Sequence, residues 1–161
     1  MTASLARLQA QVGDGIPLAQ AAQITLALAD DGRIRADAPF DANRNMHGSA
    51  FGGSLYIVAL VCGFAQSNWL LNVAGLDADI VVQNARTWYN RPVHGPLSAR
   101  IIQRDPADEQ RYIDTFQRRQ RARIDLTVVI DDAAHTPAAF ELTARFVARA
   151  RSADNSAHVD V

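Results

Sequence analysis

The run Leu55-Tyr-Ile-Val-Ala-Leu-Val-Cys-Gly-Phe-Ala65 limits this chain more than any other feature. A polar loop, Asn43 to Gly53, leads into it, and Gly48, Gly52 and Gly53 mark the changeover. Glycine or serine at Gly52 to Ser54 can begin a helix. From there to Val73 is roughly 20 residues, or about 30 Å of helix. Leu55, Ile57, Val58, Ala59, Leu60, Val61 and Phe64 leave it little polar face. Such a helix must be buried nearly all round. The uninterrupted run from Leu55 to Ala65 is shorter than the roughly 20 apolar residues a bilayer crossing needs, so it reads as a core helix.

The flanking sequence supplies what could bury it. Leu5, Leu8 and Val12 recur at helical spacing, and Gly13-Asp-Gly15 is expected to stop that helix. Ile16-Pro17-Leu18 starts a further helical turn. Ile24, Leu26 and Leu28 alternate as a strand would, Asp31-Gly32 signals a hairpin, and Arg33 to Ala38 pairs back. Beyond Gly75 the period is two. Asp79 to Tyr89 reads as a long strand with Ile80, Val82, Asn84, Arg86 and Trp88 on one side. Arg91-Pro-Val-His-Gly-Pro96 breaks it, and Leu97 to Arg104 is the next strand. Asp105 to Gln117 reads as a surface helix, with Tyr112, Ile113 and Phe116 at helical spacing. In the last two strands Ala122, Ile124, Leu126, Val128 and Ile130, then Phe140, Leu142, Ala144, Phe146 and Ala148, form the apolar faces.

These elements predict an α+β fold in which an antiparallel sheet wraps one long helix. The expectation is a single domain over residues 1–150, with residues 1–15 helical and 151–161 a loose polar tail. The side of the helix that the sheet leaves open needs a cover. A second copy is the simplest, so a homodimer or a dimer of dimers is expected.

The 161 residues are 48% hydrophobic, enough to bury a core without staples. Formal net charge is −1, so nothing global argues for nucleic acid or a membrane surface. All 16 basic residues are arginine, as a GC-rich genome would also produce. Cys62, the only cysteine, reads as a small buried hydrophobe, and a cytoplasmic setting is expected. His47, His94, His135 and His158 are widely spaced and no carboxylate or cysteine cluster joins them, so no metal is expected. No P-loop or dinucleotide fingerprint is present.

Asn45-x-His47-Gly-Ser-Ala-Phe-Gly-Gly-Ser-Leu55, with Asp79-Ile-Val-Val82 and Arg91-Pro-Val-x-Gly95, resembles the thioesterase-like hotdog family of the YiiD C-terminal type. In that family the domain also occurs fused behind an acetyltransferase domain. The likeness runs from about Ile16 to Arg149. It implies a homodimeric hotdog fold acting on acyl thioesters of acyl carrier protein or coenzyme A. No cofactor is implied, because the substrate carries its own phosphopantetheine. Some members are malonyl-acyl-carrier-protein decarboxylases that help start fatty acid synthesis.

Many hotdog thioesterases carry a loop asparagine, a histidine before paired glycines, and an acidic residue about two turns into the helix. Here Asn45 matches the asparagine, Phe51 stands in the histidine's place and Leu60 in the acid's. Hydrolysis needs an activated water or an attacking side chain. Decarboxylation needs only stabilisation of the developing thioester enolate. The Asn45 amide, backbone N–H groups around Phe51, Gly52 and Gly53, and the positive end of the helix suit that task. His47, Ser49, Ser54 and Tyr56 are candidate substrate contacts. Each also has a structural reading: Asn45 as a loop brace, His47 bonded to a backbone carbonyl, Ser54 as an N-cap, Tyr56 as packing.

Arg111, Arg118, Arg119, Arg121 and Arg123 crowd one segment. They either form a solvated edge paired with Asp108, Glu109, Asp114 and Asp125, or dock an acidic carrier protein or coenzyme A phosphates. A basic rim near the helix start is the expectation under the second reading, with Arg86 and Arg91 secondary. Three functions stay open: malonyl-thioester decarboxylation, acyl-thioester hydrolysis, and non-catalytic binding of an acyl carrier.

Overall fold

The computed structural model describes residues 2–102, 105–131 and 138–151. The expected polar tail and the end of the strand predicted to reach Arg104 lie outside them. The elements are α1 (Thr2–Gly15), α2 (Pro17–Ala21), β1 (Thr25–Leu28), β2 (Ile34–Ala38), α3 (Gly52–Val73), β3 (Asp79–Tyr89), β4 (Leu97–Ile102), α4 (Pro106–Arg119), β5 (Arg121–Ile130) and β6 (Phe140–Arg149). The six strands form one antiparallel sheet in the order β1-β2-β4-β5-β6-β3. It curves around α3, the hotdog arrangement expected from the sequence.

The inner face of the sheet explains the alternation. Val128 and Phe146 reach α3 so closely that a methyl on Gly63 would lie 2.6 Å from the Phe146 ring. Register then puts Ile124, Leu126 and Ile130 inward with them, opposite Phe146, Ala144 and Phe140. Helix α3 has 22 residues and is apolar enough to cross a membrane by length and composition. In this chain 67% of its most apolar window is buried, mainly under the sheet, which makes it a core helix. Burial pushes the Cys62 thiol up to about 12, as befits a small hydrophobe on the packed face.

Three expectations are corrected. Helix α1 runs through Gly13 to Gly15, because Leu8 and Val12 pack against the core and outweigh the roughly 1 kcal/mol cost of glycine. Strand β3 does not keep Ile80, Val82, Asn84, Arg86 and Trp88 on one side. The register shifts between Val82 and Asn84, so Ile80 and Val82 face α3 while Asn84, Arg86 and Trp88 face outward. A bulge adds one residue and so inverts the alternation beyond it. The expected surface helix is present as α4, with Asp105 as N-cap accepting the Ala107 N–H at 2.9 Å and with Tyr112 and Phe116 buried on its inner side. Helix α3 starts one residue before the glycine pair ends, with Phe51 as N-cap and no side-chain cap. Ser54 is therefore its third residue and not its cap.

Two sides of the molecule differ. On β1, Gln9 from α1 supplies the missing neighbour: its Oε1 accepts the Leu26 N–H at 2.6 Å and its Nε2 donates to the Ile24 carbonyl. Strand β3 is 11 residues long and pairs only with β6 among the described residues. Beside it, α3 leaves an apolar stripe of Tyr56, Ile57, Leu60 and Phe64 only half buried.

Candidate active site

The loop before α3 is built around two asparagines. Asn43 is buried. Its Nδ2 donates to the Ala22 and Pro39 carbonyls at 2.9 and 2.8 Å, and its own carbonyl accepts the Phe51 N–H at 2.7 Å. Asn43 thus ties the start of α3 to the rest of the fold. Asn45 sits half-buried in the next turn. Its Oδ1 accepts the N–H groups of His47 at 2.8 Å and Ser49 at 3.2 Å. Its Nδ2 donates to Ser49 Oγ at 3.0 Å, and its backbone N–H to the Ser49 carbonyl at 2.7 Å. The brace reading of Asn45 therefore holds. It also has a chemical consequence: two N–H groups fix Oδ1, so the amide plane is set, and one of the two Nδ2 hydrogens remains to donate.

Gly48 closes this loop with φ +79°, a left-handed conformation that favours glycine. Its carbonyl lies 3.1 Å from His94 Nδ1. The bond to a backbone carbonyl expected of His47 is thus made by His94, while the His47 side chain is exposed. Ala50 N–H donates to the Val93 carbonyl at 2.8 Å, which fastens the loop to the Arg91-Pro-Val turn.

At the helix start the N–H groups are not equal. Phe51 N–H is taken by Asn43, and Ser54 and Leu55 N–H both reach the Phe51 carbonyl. Gly52 and Gly53 N–H have no acceptor among the described residues, as the first turn of a helix dictates. Each glycine meets an aromatic ring. A Cβ on Gly53 would come within 2.4 Å of Phe51 Cε1, and one on Gly52 within 3.2 Å of Tyr89 Cε1. Tyr89 also donates its hydroxyl to the Gly52 carbonyl at 3.2 Å. Two free donors with a partial positive charge therefore sit between two aromatic rings. Phe51 is 57% exposed, so this mouth is open in the single chain.

Tyr56 and Leu60 lie below Gly53 on the half-buried stripe of α3. Leu60, in the position of the hydrolase acid, therefore faces the same open side. Asp79 is no substitute in its own chain. It lies at the far end of β3 from Tyr89, and its carboxylate accepts from Arg151 at 3.2 Å.

The structure separates Arg118, Arg119 and Arg121 from these residues. Arg121 is in register with Arg149, and Arg149 with Asp79, at the start of β3. The mouth lies at the other end, about 30 Å away along the strand. The basic rim expected near the helix start is therefore not provided by the same chain. The segment is a paired edge only in part. Arg111 pairs with Asp108 and Asp105, but Glu109 is held by Arg33 and Asp125 by Arg145. Arg118 Nε donates to the Asp114 carbonyl at 3.2 Å. Arg86 lies over the Trp88 ring at 6.0 Å on the outer face.

Sequence reading missed Asn43, Tyr89 and His94 as site-builders. Asn43 stands at the head of the same polar stretch, and a buried asparagine there is a recoverable signal. Tyr89 and His94 come from distant segments and carry none.

The model of the family described as "Putative thioesterase (yiiD_Cterm)" matches residues 5–150. The fold is shared with a Chlorobaculum tepidum protein of unknown function, OLEI01261, at TM-score 0.85 and 22% identity over 92% of this chain and 95% of that one. A Shewanella oneidensis "putative thioesterase" follows at TM-score 0.78 and 23% identity, covering 92% of this chain and 99% of that one. Haemophilus influenzae thioesterase HI1161 superposes at TM-score 0.64 and 14% identity over 92% and 93%. No curated protein sequence matches this chain.

Proposed function

Because the chain belongs to the YiiD C-terminal thioesterase-like family, whose members are acyl-thioester enzymes, we propose that its reaction is decarboxylation of a malonyl thioester. The observation that carries this reading is the pairing of free donors with a missing base. Gly52 and Gly53 N–H and one Asn45 hydrogen are available, while the first four turns of α3 hold no carboxylate.

In the reaction the bond between the malonyl carboxylate carbon and Cα breaks and carbon dioxide leaves. The electron pair moves into the thioester to give an enolate, and Cα then takes a proton from water to give the acetyl thioester. Negative charge grows on the thioester oxygen, where fixed N–H donors act with most effect. Each such donor is typically worth roughly 2.7–4 kcal/mol. A carboxylate at position 60 would repel the malonyl group, and Leu60 does not. The thioester is that of a carrier protein or of coenzyme A.

The working unit under this reading is a homodimer. The open β3 edge and the half-buried stripe of α3 favour a second copy paired β3 to β3 about a two-fold axis. Incubation with malonyl-carrier protein, followed by product mass, tests the chemistry. Acetyl-carrier protein supports it. Free carrier thiol with released malonate establishes hydrolysis instead.

A further inference from the structure

Four arginines gather where the expected reaction has no use for them in the same chain. Arg119 ends α4, Arg121 and Arg123 begin β5, and Arg149 stands directly opposite Arg121 on β6. All four are exposed. Like charges directly opposite on neighbouring strands destabilise a sheet, a cost that an anion bound from outside would offset. Nearby carboxylates are already engaged: Asp125 by Arg145, and Asp77 and Asp79 by Arg151. Among the described residues none reaches these four arginines in an ion pair. Thr115, Arg119, Arg121, Ala122 and Arg123 line an open groove there. It offers no aromatic side chain to stack a nucleotide base and no closed slot to hold one. A broad arginine surface without such a slot suits a carboxylate-rich protein face.

We infer that Arg119, Arg121, Arg123 and Arg149 dock the acidic face of the carrier protein that presents the acyl thioester, and that each patch serves the site of the other subunit. This rests on the proposed thioester chemistry and on β3-to-β3 pairing. The register supplies the geometry. In its own chain the patch is a strand's length from Gly52, about 30 Å. Antiparallel pairing of two β3 strands sets the Asp79 end of one beside the Tyr89 end of the other. Counted from the Tyr89 end of β3, the strand ends that carry the partner's Arg149 and the partner's Arg121 then lie two and three strand spacings across the sheet, about 10 and 14 Å, with the arginines on its outer face because Ala148 and Ala122 are buried inward. A tethered substrate crosses that shorter gap.

Carrier binding and subunit mixing test this. Malonyl-carrier protein should bind an Arg121→Glu/Arg149→Glu dimer at least tenfold more weakly than wild type, with Arg121→Gln/Arg149→Gln between them. Raised salt should weaken wild-type binding. Equal affinity for all three, with dimers intact by sedimentation, overturns the docking surface. For the crossed arrangement, Asn45→Ala chains are exchanged with Arg121→Glu/Arg149→Glu chains. Each mixed dimer then joins one intact mouth to one intact patch on the opposite subunit. Random exchange should restore about a quarter of wild-type turnover. No gain over the separate variants, with mixed dimers verified by mass, overturns delivery between subunits. Should wild type bind the carrier through these arginines yet produce no acetyl-carrier protein, the docking surface stands and the decarboxylase reading falls.

Discussion

At one edge of the sheet, β1 has four residues and the Gln9 amide meets its outward backbone groups. At the other, β3 has 11 residues that pair with β6 on one side and with no strand among the described residues on the other, and Val81 and Val82 are 50% and 44% exposed. A long, apolar, uncovered edge is a liability that proteins ordinarily blunt. This chain blunts the shorter edge and leaves the longer one open. The open side also carries the mouth of the site and the half-buried stripe of α3. Under the proposed function that exposure serves the dimer and the site, whereas on the other side Gln9 closes the edge.

Substitutions on the two sides should fail in different ways. Val82→Glu puts a charge on the inner face of β3 beside the open stripe. Sedimentation should show loss of the dimer, with turnover falling to background and far-UV circular dichroism unchanged. A fully dimeric, active Val82→Glu protein would mean that β3 is not the interface.

Asn45→Ala removes a donor without touching that edge. It should lower kcat by about 10²–10³, or roughly 2.7–4 kcal/mol, and leave the dimer intact. Wild-type turnover in this variant would leave Asn45 only its bracing role.

On the covered side the cost should appear in stability. Gly63→Ala drives a methyl to 2.6 Å from the buried Phe146 ring, which has no room to turn. Urea unfolding should register a loss of about 1–3 kcal/mol. Gly53→Ala meets the Phe51 ring more closely still, at 2.4 Å, but that ring is exposed and can swing away. Its effect should fall on turnover more than on stability. Equal stability losses for both would contradict the distinction between the two sides of α3.

The smallest effect is electrostatic. The Arg145 guanidinium holds the Asp125 carboxyl below its usual value of 3.8. A depressed folded pKa adds stability above the unfolded value and loses it as pH falls through the folded one. Asp125→Asn should therefore cost less than about 1 kcal/mol at neutral pH, since the pair is largely exposed. Its gap from wild type should close progressively below pH 3.8. A gap that persists in acid would assign the loss to packing.

Much of this was legible locally. The apolar run from Leu55 to Ala65 dictated a buried helix, and the alternation from Ala122 and from Phe140 dictated inward strand faces. The bracing role of Asn45 and the helix start at the glycine pair were legible because loop chemistry and the helix start are neighbours in the chain. The β3 bulge was not, since a one-residue slip leaves no mark in composition and is decided by the register with β6. Ser54 looked like a cap because serine is a good one, but the bond from Phe51 N–H to Asn43 begins the helix earlier.

The sequence by itself determined what the chain must bury and which donor-bearing loop precedes the helix, because periodicity and turn chemistry act over a few residues. Only the tertiary structure decided which N–H groups stay free and which edge stays open. It also carried the arginines a strand's length from the mouth. Those outcomes depend on pairing between residues far apart in the chain, and no local pattern encodes which partner a strand end will meet.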